Sequence, residues 1–285
     1  MASGKPNNVP KQRRHPKDGN QKNSAFKNPK RVPLGPNRAQ TKKKKKNEEI
    51  KGTKTRKEPK AAAAAAANLP ASQQLSFFLD CFQSAINIKF SSLELESFKD
   101  TCIVESPKGL EQDADSLFKH MKAAFGTSWR EVLTEGQLEG IIDPGSPAVL
   151  VISTSALRSL ELLRGLRPLT KECRAAKLFA KHMKIVEQVT LLKSRVNIAS
   201  GTPSRIKKLI DMDVLGISRL AVIVLDMHTD AKGYSLFSLP QVSDEFWDLY
   251  KSHFQQRLIQ GDLRICLYGP ISCDTEVKNT ELHEE

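Results

Sequence analysis

The chain contains no GxxxxGKS or GxxxxGKT segment anywhere in its 285 residues. A phosphate-cradling loop needs glycines so that backbone amides can approach the anion, then a lysine for charge and a hydroxyl for magnesium. Without one, ordinary nucleotide hydrolysis is excluded as the first expectation. Cysteine is sparse: Cys81, Cys102, Cys173, Cys266 and Cys273 are scattered, odd in number and never spaced as CxxC. They read as reduced thiols rather than disulfides or zinc ligands, and the six histidines cluster with none of them. No apolar run approaches the roughly 18–20 residues needed to span a bilayer, so no membrane partner is expected. The opening MASGKPNNVPKQRRHPK has no apolar core, and no secretory signal is expected from it. Aromatics make up 6% of the sequence, and Trp129, Trp247 and the three tyrosines form no stacking pattern. That argues against single-strand reading on an aromatic platform.

Positive charge is abundant, and it is concentrated. The formal net charge is +13, yet residues 1–60 carry 20 Lys/Arg against 4 Asp/Glu, a net of +16, while residues 61–285 net −3. The first segment is rich in Lys, Pro, Asn and Gly. It has too few large apolar side chains to offset the entropy of ordering and reads as a disordered basic tail. It holds Arg13 and Arg14 in one cluster, and Lys42, Lys43, Lys44, Lys45 and Lys46 in an unbroken run. Such clusters serve as nuclear-import signals and as counterion-releasing contacts to nucleic acid. The organisation expected is a tail with an Ala-rich hinge over residues 1–70, one folded domain over 71–278, and an acidic end over 279–285.

Within the folded part, QLSFFLDCFQSAINI (residues 74–88) repeats Phe and Leu at three- and four-residue steps, predicting a helix opened by Ser72. Residues 110–125 read as a second helix. After Pro147 come four short apolar runs: AVLVI (148–152), VNIA (196–199), LAVIVL (220–225) and LRICL (263–267). Runs without alternation suggest strands buried on both faces, and strand–helix–strand order suggests a parallel sheet. The fold class expected is therefore α/β, one domain with a mainly parallel sheet flanked by helices. In such sheets functional residues gather at the carboxyl ends of strands. Those ends read Ser153-Thr154-Ser155, then Ser200-Gly-Thr-Pro-Ser-Arg205, then Asp226-Met-His-Thr-Asp230.

At these ends the sequence resembles the first RecA-like domain of DEAD-box RNA helicases. AVLVISTSALRSLELL (148–163) matches the placement of the family's PTRELA motif. RVNIASGTPSRI (195–206) resembles its TPGR segment, with Thr202, Pro203 and Arg205 retained and Ser204 for glycine. LAVIVLDMHTD then stands at the DEAD position, with Asp226 kept, Met227 for the glutamate, His228 for the alanine and Thr229 for the last aspartate. The departures weigh more than the matches. Residues 140–147, before the first strand, lack the lysine, no SAT-like triplet follows residue 267, and no second RecA-like domain is expected beyond it. Phosphoryl transfer rests on positioning and charge stabilisation around magnesium and the phosphates, and little of that apparatus remains. Asp226 is expected to close a core strand rather than bind a metal, and no catalytic residue, metal or cofactor is expected.

The lysine-rich tail, the helix followed by Leu93-Glu-Leu-Glu96, the basic stretch around Lys177-Leu-Phe-Ala-Lys-His182 and the Gly201-Thr-Pro203 segment resemble one eukaryotic family across residues 70–275. It is described as a subunit of the U3-containing 90S pre-ribosomal complex. The resemblance implies a non-catalytic assembly factor of the nucleus and nucleolus, with pre-ribosomal RNA and pre-ribosomal assembly proteins as partners. Two alternatives stand beside it: an RNA-dependent ATPase using an unrecognised pocket, and a general nuclear nucleic-acid-binding protein. Residues 158–208 carry 13 Lys/Arg against Glu161, Glu172 and Glu187, a net of +10. A basic stripe of this kind is an electrostatic footprint for phosphate. The candidate RNA-contacting residues are Arg158, Thr202, Arg205, Lys207 and Lys208. For Arg205 the competing role is a salt bridge to Asp211 or Asp213, and residues 171–184 can also be read as a solvated helix face.

Overall fold

The computed structural model describes residues 69–134 and 144–271. The chain divides into two units, residues 1–54 and 55–285, and every described residue lies in the second. The tail clusters at Arg13, Arg14 and Lys42 to Lys46, the alanine run, residues 140–143, Cys273 and the acidic end lie outside the described residues.

The runs read as strands are strands. They are β1 (Val149–Ile152), β3 (Ile198–Gly201), β4 (Val222–Asp226) and β5 (Arg264–Tyr268). A fifth, β2 (Ala176–Leu178), falls where the basic residues also read as a helix face. All five are parallel, in the order β2-β3-β1-β4-β5. The chain moves out from β1 to β2, returns to β3, then crosses β1 to reach β4, so helices cover both faces. Burial on both sides is why β1 and β4 are unbroken apolar runs.

Period-two alternation divides the strand residues between two cores. Leu150, Ile152, Ile223, Leu225, Ile265 and Leu267 face one side. There they meet α1 (Ala71–Ile86), α5 (Ile185–Leu192), α6 (Pro203–Asp211), α7 (Pro240–Leu249) and α8 (Gln255–Gln260). Val149, Val151, Val222, Val224, Cys266 and Tyr268 face the other side, against α3 (Leu117–Phe125) and α4 (Ala156–Gly165). The short α2 (Ser92–Glu96) covers Leu93-Glu-Leu-Glu96, with Ser91 accepting at its first turn.

Helix α1 forms as its Phe/Leu spacing predicts, although its start is held differently. Pro70 occupies the cap position without a side-chain bond, and Glu105 Oε1 accepts from the Ala71 amide at 2.7 Å instead of Ser72 capping it. Phe78 and Phe82 insert into an aromatic cluster with Trp247 and Tyr250 of the α7 region, the Phe82–Tyr250 centroids lying 4.9 Å apart at 81°. The helix expected over residues 110–125 begins later, with one 3-10 turn at Ala114–Ser116 capped by the Asp113 side chain.

Beyond β5 the sheet has a rudimentary sixth member. Ile103 bridges Ile265 in parallel, and the Val104 amide donates to the Ile265 carbonyl at 2.7 Å. From there residues 105–113 pass over the carboxyl end of β5 before the turn into α3. Two polar groups of this segment are spent at the end of β5: Gln112 Oε1 accepts from the Gly269 amide at 2.6 Å, and the Asp113 carbonyl accepts from the Tyr268 hydroxyl at 2.6 Å, while Glu105, Lys108 and Glu111 are exposed.

Candidate nucleic-acid interface at the carboxyl edge

Asp226 closes β4 and is 1% exposed. Alternation places its side chain on the α3/α4 face, whereas Met227, one residue on, turns into the opposite core and is itself buried. The Met227 amide completes the pairing with β5 by donating to the Tyr268 carbonyl at 2.8 Å. Arg158, on the first turn of α4, meets the carboxylate side-on. Its Nε donates to Oδ2 at 2.8 Å and its Nη2 to Oδ1 at 3.0 Å. His228 Nδ1 lies 2.8 Å from Oδ1 as well. Burial pushes the Asp226 carboxyl upward in pKa, but the hydrogen bonds from His228 and Arg158 outweigh it and hold the group below the ordinary aspartate value. Burial likewise lowers the Arg158 guanidinium, yet Asp226 and then Glu161 raise it above its ordinary value.

Both carboxylate oxygens are thus committed to neighbours, and a magnesium ion would have to displace a bidentate guanidinium to reach them. Among the described residues no group of three or more His, Cys, Asp or Glu side chains is placed to hold a metal. Gly269 shows how tightly this corner is closed. Its φ is +125°, and a Cβ there would stand 2.7 Å from His228 Nδ1 and 3.0 Å from the His228 amide nitrogen. Thr229 is exposed, and Asp230 folds its own turn, accepting from the Lys232 and Tyr234 amides at 2.8 and 2.9 Å.

The other candidate residues lie across the sheet. Thr202 precedes Pro203 at the start of α6, and its amide donates to the Leu178 carbonyl at 3.1 Å. At the end of β3, Gly201 lets β2 come close, since a Cβ there would lie 2.0 Å from the Leu178 carbonyl oxygen. Arg205 donates to Gln188 Oε1 at 2.7 Å, and not to Asp211 or Asp213. Asp211 is taken by Lys207 at 2.8 Å and by His253 at 2.8 Å. Lys207 also reaches Asp248 at 3.6 Å, while Lys208 is exposed. Arg158 and Arg205 therefore share the carboxyl edge but occupy opposite faces. Arg158 on α4 turns toward β4, and Arg205 on α6 turns toward β2.

Gln188 is the residue that sequence reasoning passed over. Fully buried on α5, it donates through Nε2 to the Lys177 carbonyl at 2.9 Å and the Phe179 carbonyl at 3.0 Å while holding Arg205 with Oε1. A lone glutamine in an amphipathic helix gives no signal that it caps a strand edge. His228 was more legible, because it stands two positions from Asp226 at a strand end.

The sheet and its sealed strand-end aspartate define a parallel α/β domain in which that aspartate belongs to an internal ion-pair cluster. Residues 10–268 match the model of the family described as U3-containing 90S pre-ribosomal complex subunit (CMS1), and the chain belongs to that family. Relatives include Protein CMSS1 of Xenopus laevis, 32% identical over 63% of this chain and 63% of its own length. Protein CMSS1 of Homo sapiens is 38% identical over 36% of this chain and 38% of its own. Protein CMS1 of Chaetomium thermophilum is 44% identical over 31% of this chain and 36% of its own. The matched region thus spans less than two thirds of each of these relatives. Similar solved structures include a DEAD box protein from Methanococcus jannaschii, 16% identical with a TM-score of 0.33 over 53% of this chain and 36% of that one. Another is S. cerevisiae dbp5 bound to nup159, gle1, ip6 and adp, 13% identical with a TM-score of 0.38 over 72% of this chain and 47% of that one. Among the described residues no helix is long and apolar enough to cross a membrane.

Proposed function

We propose that this protein is a non-catalytic RNA- and protein-binding assembly factor of small-subunit ribosome biogenesis, acting in the nucleus and nucleolus. The observation that carries the non-catalytic part is Asp226. Its carboxylate is buried, held bidentately by Arg158 and bonded by His228, in the position where a hydrolase needs a carboxylate open to magnesium. RNA contact at the carboxyl edge falls to Lys208, Arg205 and the start of α6 at Thr202, with Arg158 and Lys207 more firmly held by Asp226 and Asp211. Family membership supports protein partners within the pre-ribosomal complex.

Calorimetry of the full chain with Mg-ATP, with and without RNA, is expected to show neither micromolar binding nor turnover. Turnover that disappears in Asp226→Ala would overturn the non-catalytic reading and favour an RNA-dependent ATPase.

The address is assigned to residues 1–60, on their net charge of +16 and the run from Lys42 to Lys46. A fluorescently tagged chain beginning at Ala71 is expected to lose nucleolar accumulation relative to the whole protein. Equal accumulation of the two would move the address into the folded domain.

A further inference from the structure

Residues 164–184 carry seven Lys/Arg and a single acidic residue, Glu172. The cations recur every three or four positions, which on a helix would draw one stripe. Past the end of α4 at Gly165 the chain is not α-helical: it makes a 3-10 turn at Arg167–Leu169, then strand β2, then a turn around His182, whose φ is +60°. All seven cations are nevertheless exposed, while Leu166, Leu169, Cys173, Ala176, Leu178 and Phe179 between them are buried. The segment therefore inserts its apolar side chains into the domain and turns its charge out along the free edge of the sheet. Among the described residues none of the seven is in an ion pair. At the strand ends Arg158 and Lys207 are instead ion-paired, to Asp226 and Asp211.

We infer that the phosphodiester backbone of an RNA runs along this edge, over β2, gripped by Arg167, Lys171, Arg174, Lys177 and Lys181. The inference rests on the RNA-binding reading above and adds a surface to it. Charge supplies the first reason: unpaired, solvent-facing cations release counterions from a polyanion, which is the main source of sequence-independent affinity. Direction supplies the second. Arg167 and Lys171 precede the amino end of β2, Lys177 is on the strand, and Lys181 follows its carboxyl end, so the cations form a track rather than a point. The three residues of β2 cover about 10 Å at the usual rise of a strand, and the flanking turns extend the track at both ends. A partner protein strand is disfavoured at the same edge. The outward carbonyls of Lys177 and Phe179 already accept from Gln188, and three residues offer little to pair with. The exposed face of the segment offers a single aromatic ring, His182, too little for a stacking platform, so recognition there is mainly of backbone and not of sequence.

Lysine footprinting of the full chain tests this without removing the basic tail. Acetylation by an amine-reactive reagent is followed by mass spectrometry, alone, with a 20-nucleotide oligouridylate, and with polyglutamate of matched charge. Oligouridylate is expected to slow modification of Lys171, Lys177 and Lys181 several-fold and to leave Lys119 and Lys251 unchanged. In parallel, Lys171→Gln, Lys177→Gln and Lys181→Gln together are expected to reduce the slope of log affinity against log salt by about two units, at about 0.7 for each single-strand phosphate that is no longer neutralised. If oligouridylate binds yet neither the three lysines nor the slope responds, the edge is not the RNA track while the RNA-binding reading survives. Protection by polyglutamate alone would assign the edge to an acidic protein segment and overturn the inference. Absence of any binding to the full chain would overturn both.

Discussion

Asp226→Ala is expected to destabilise the domain by about 3–5 kcal/mol, the range for breaking one side of a buried ion pair and leaving the other charge without its partner. Asp226 is 1% exposed and the Arg158 side chain 19%, so solvent replaces little of what is removed. Arg158 keeps Glu161 at 3.1 Å, a more exposed carboxylate, which draws the value toward the lower end of the range. Urea unfolding of parent and variant measures it, and a difference under about 1 kcal/mol would mean that the cluster contributes no more than a surface pair. The pH dependence follows from the lowered Asp226 pKa. A carboxyl depressed on folding contributes stability that is fully present above its unfolded pKa, near about 4, and is lost as pH falls through the folded value. The gap between parent and Asp226→Ala should therefore hold steady above about pH 5 and narrow in more acid solution. A gap that widened in acid would show that the carboxyl is not held low in the folded protein.

Phe82→Ala is expected to cost about as much, about 3–5 kcal/mol for removing a fully buried ring from a packed core. Phe82 is 1% exposed, with ring centroids 4.9 Å from Tyr250, 5.4 Å from Trp247 and 5.6 Å from Phe90. Its removal also loosens α1 from α7, because Phe78 then carries the packing against Trp247 and Tyr250. Trp247 is one of only two tryptophans, so its fluorescence reports the change directly. A cost below about 1.5 kcal/mol would show that α1 is an appendage rather than part of the core.

These two positions also show how unevenly the sequence discloses its structure. Phe82 was legible because a helix repeats every 3.6 residues and the Phe/Leu spacing of α1 keeps that period. β1 and β4 were legible because only strands buried on both faces are apolar without alternation. β2 was not. Its three residues, Ala176, Lys177 and Leu178, are too few to show a period, and cations spaced by three and four around them imitate a helix face. At the site, Asp226 stood out at its strand end, but its partner Arg158 is 68 positions away, and only the parallel arrangement of β1 and β4 brings them together. The shared carboxyl edge of Arg158 and Arg205 followed from strand order. Their separation onto opposite faces did not, since it depends on which side each crossover helix takes.

The bridge between Ile103 and Ile265 also has a bearing on how the domain comes into being. It joins a segment directly after α1 and α2 to the last strand of the domain, and Glu105, two residues on, holds the start of α1. During synthesis the aromatic face of α1 is made early, yet Trp247, Tyr250 and β5 leave the ribosome roughly 165 to 190 residues later. Contacts so distant along the chain close slowly. Until they close, an apolar helix waits without its cover, open to chaperones and to other nascent chains.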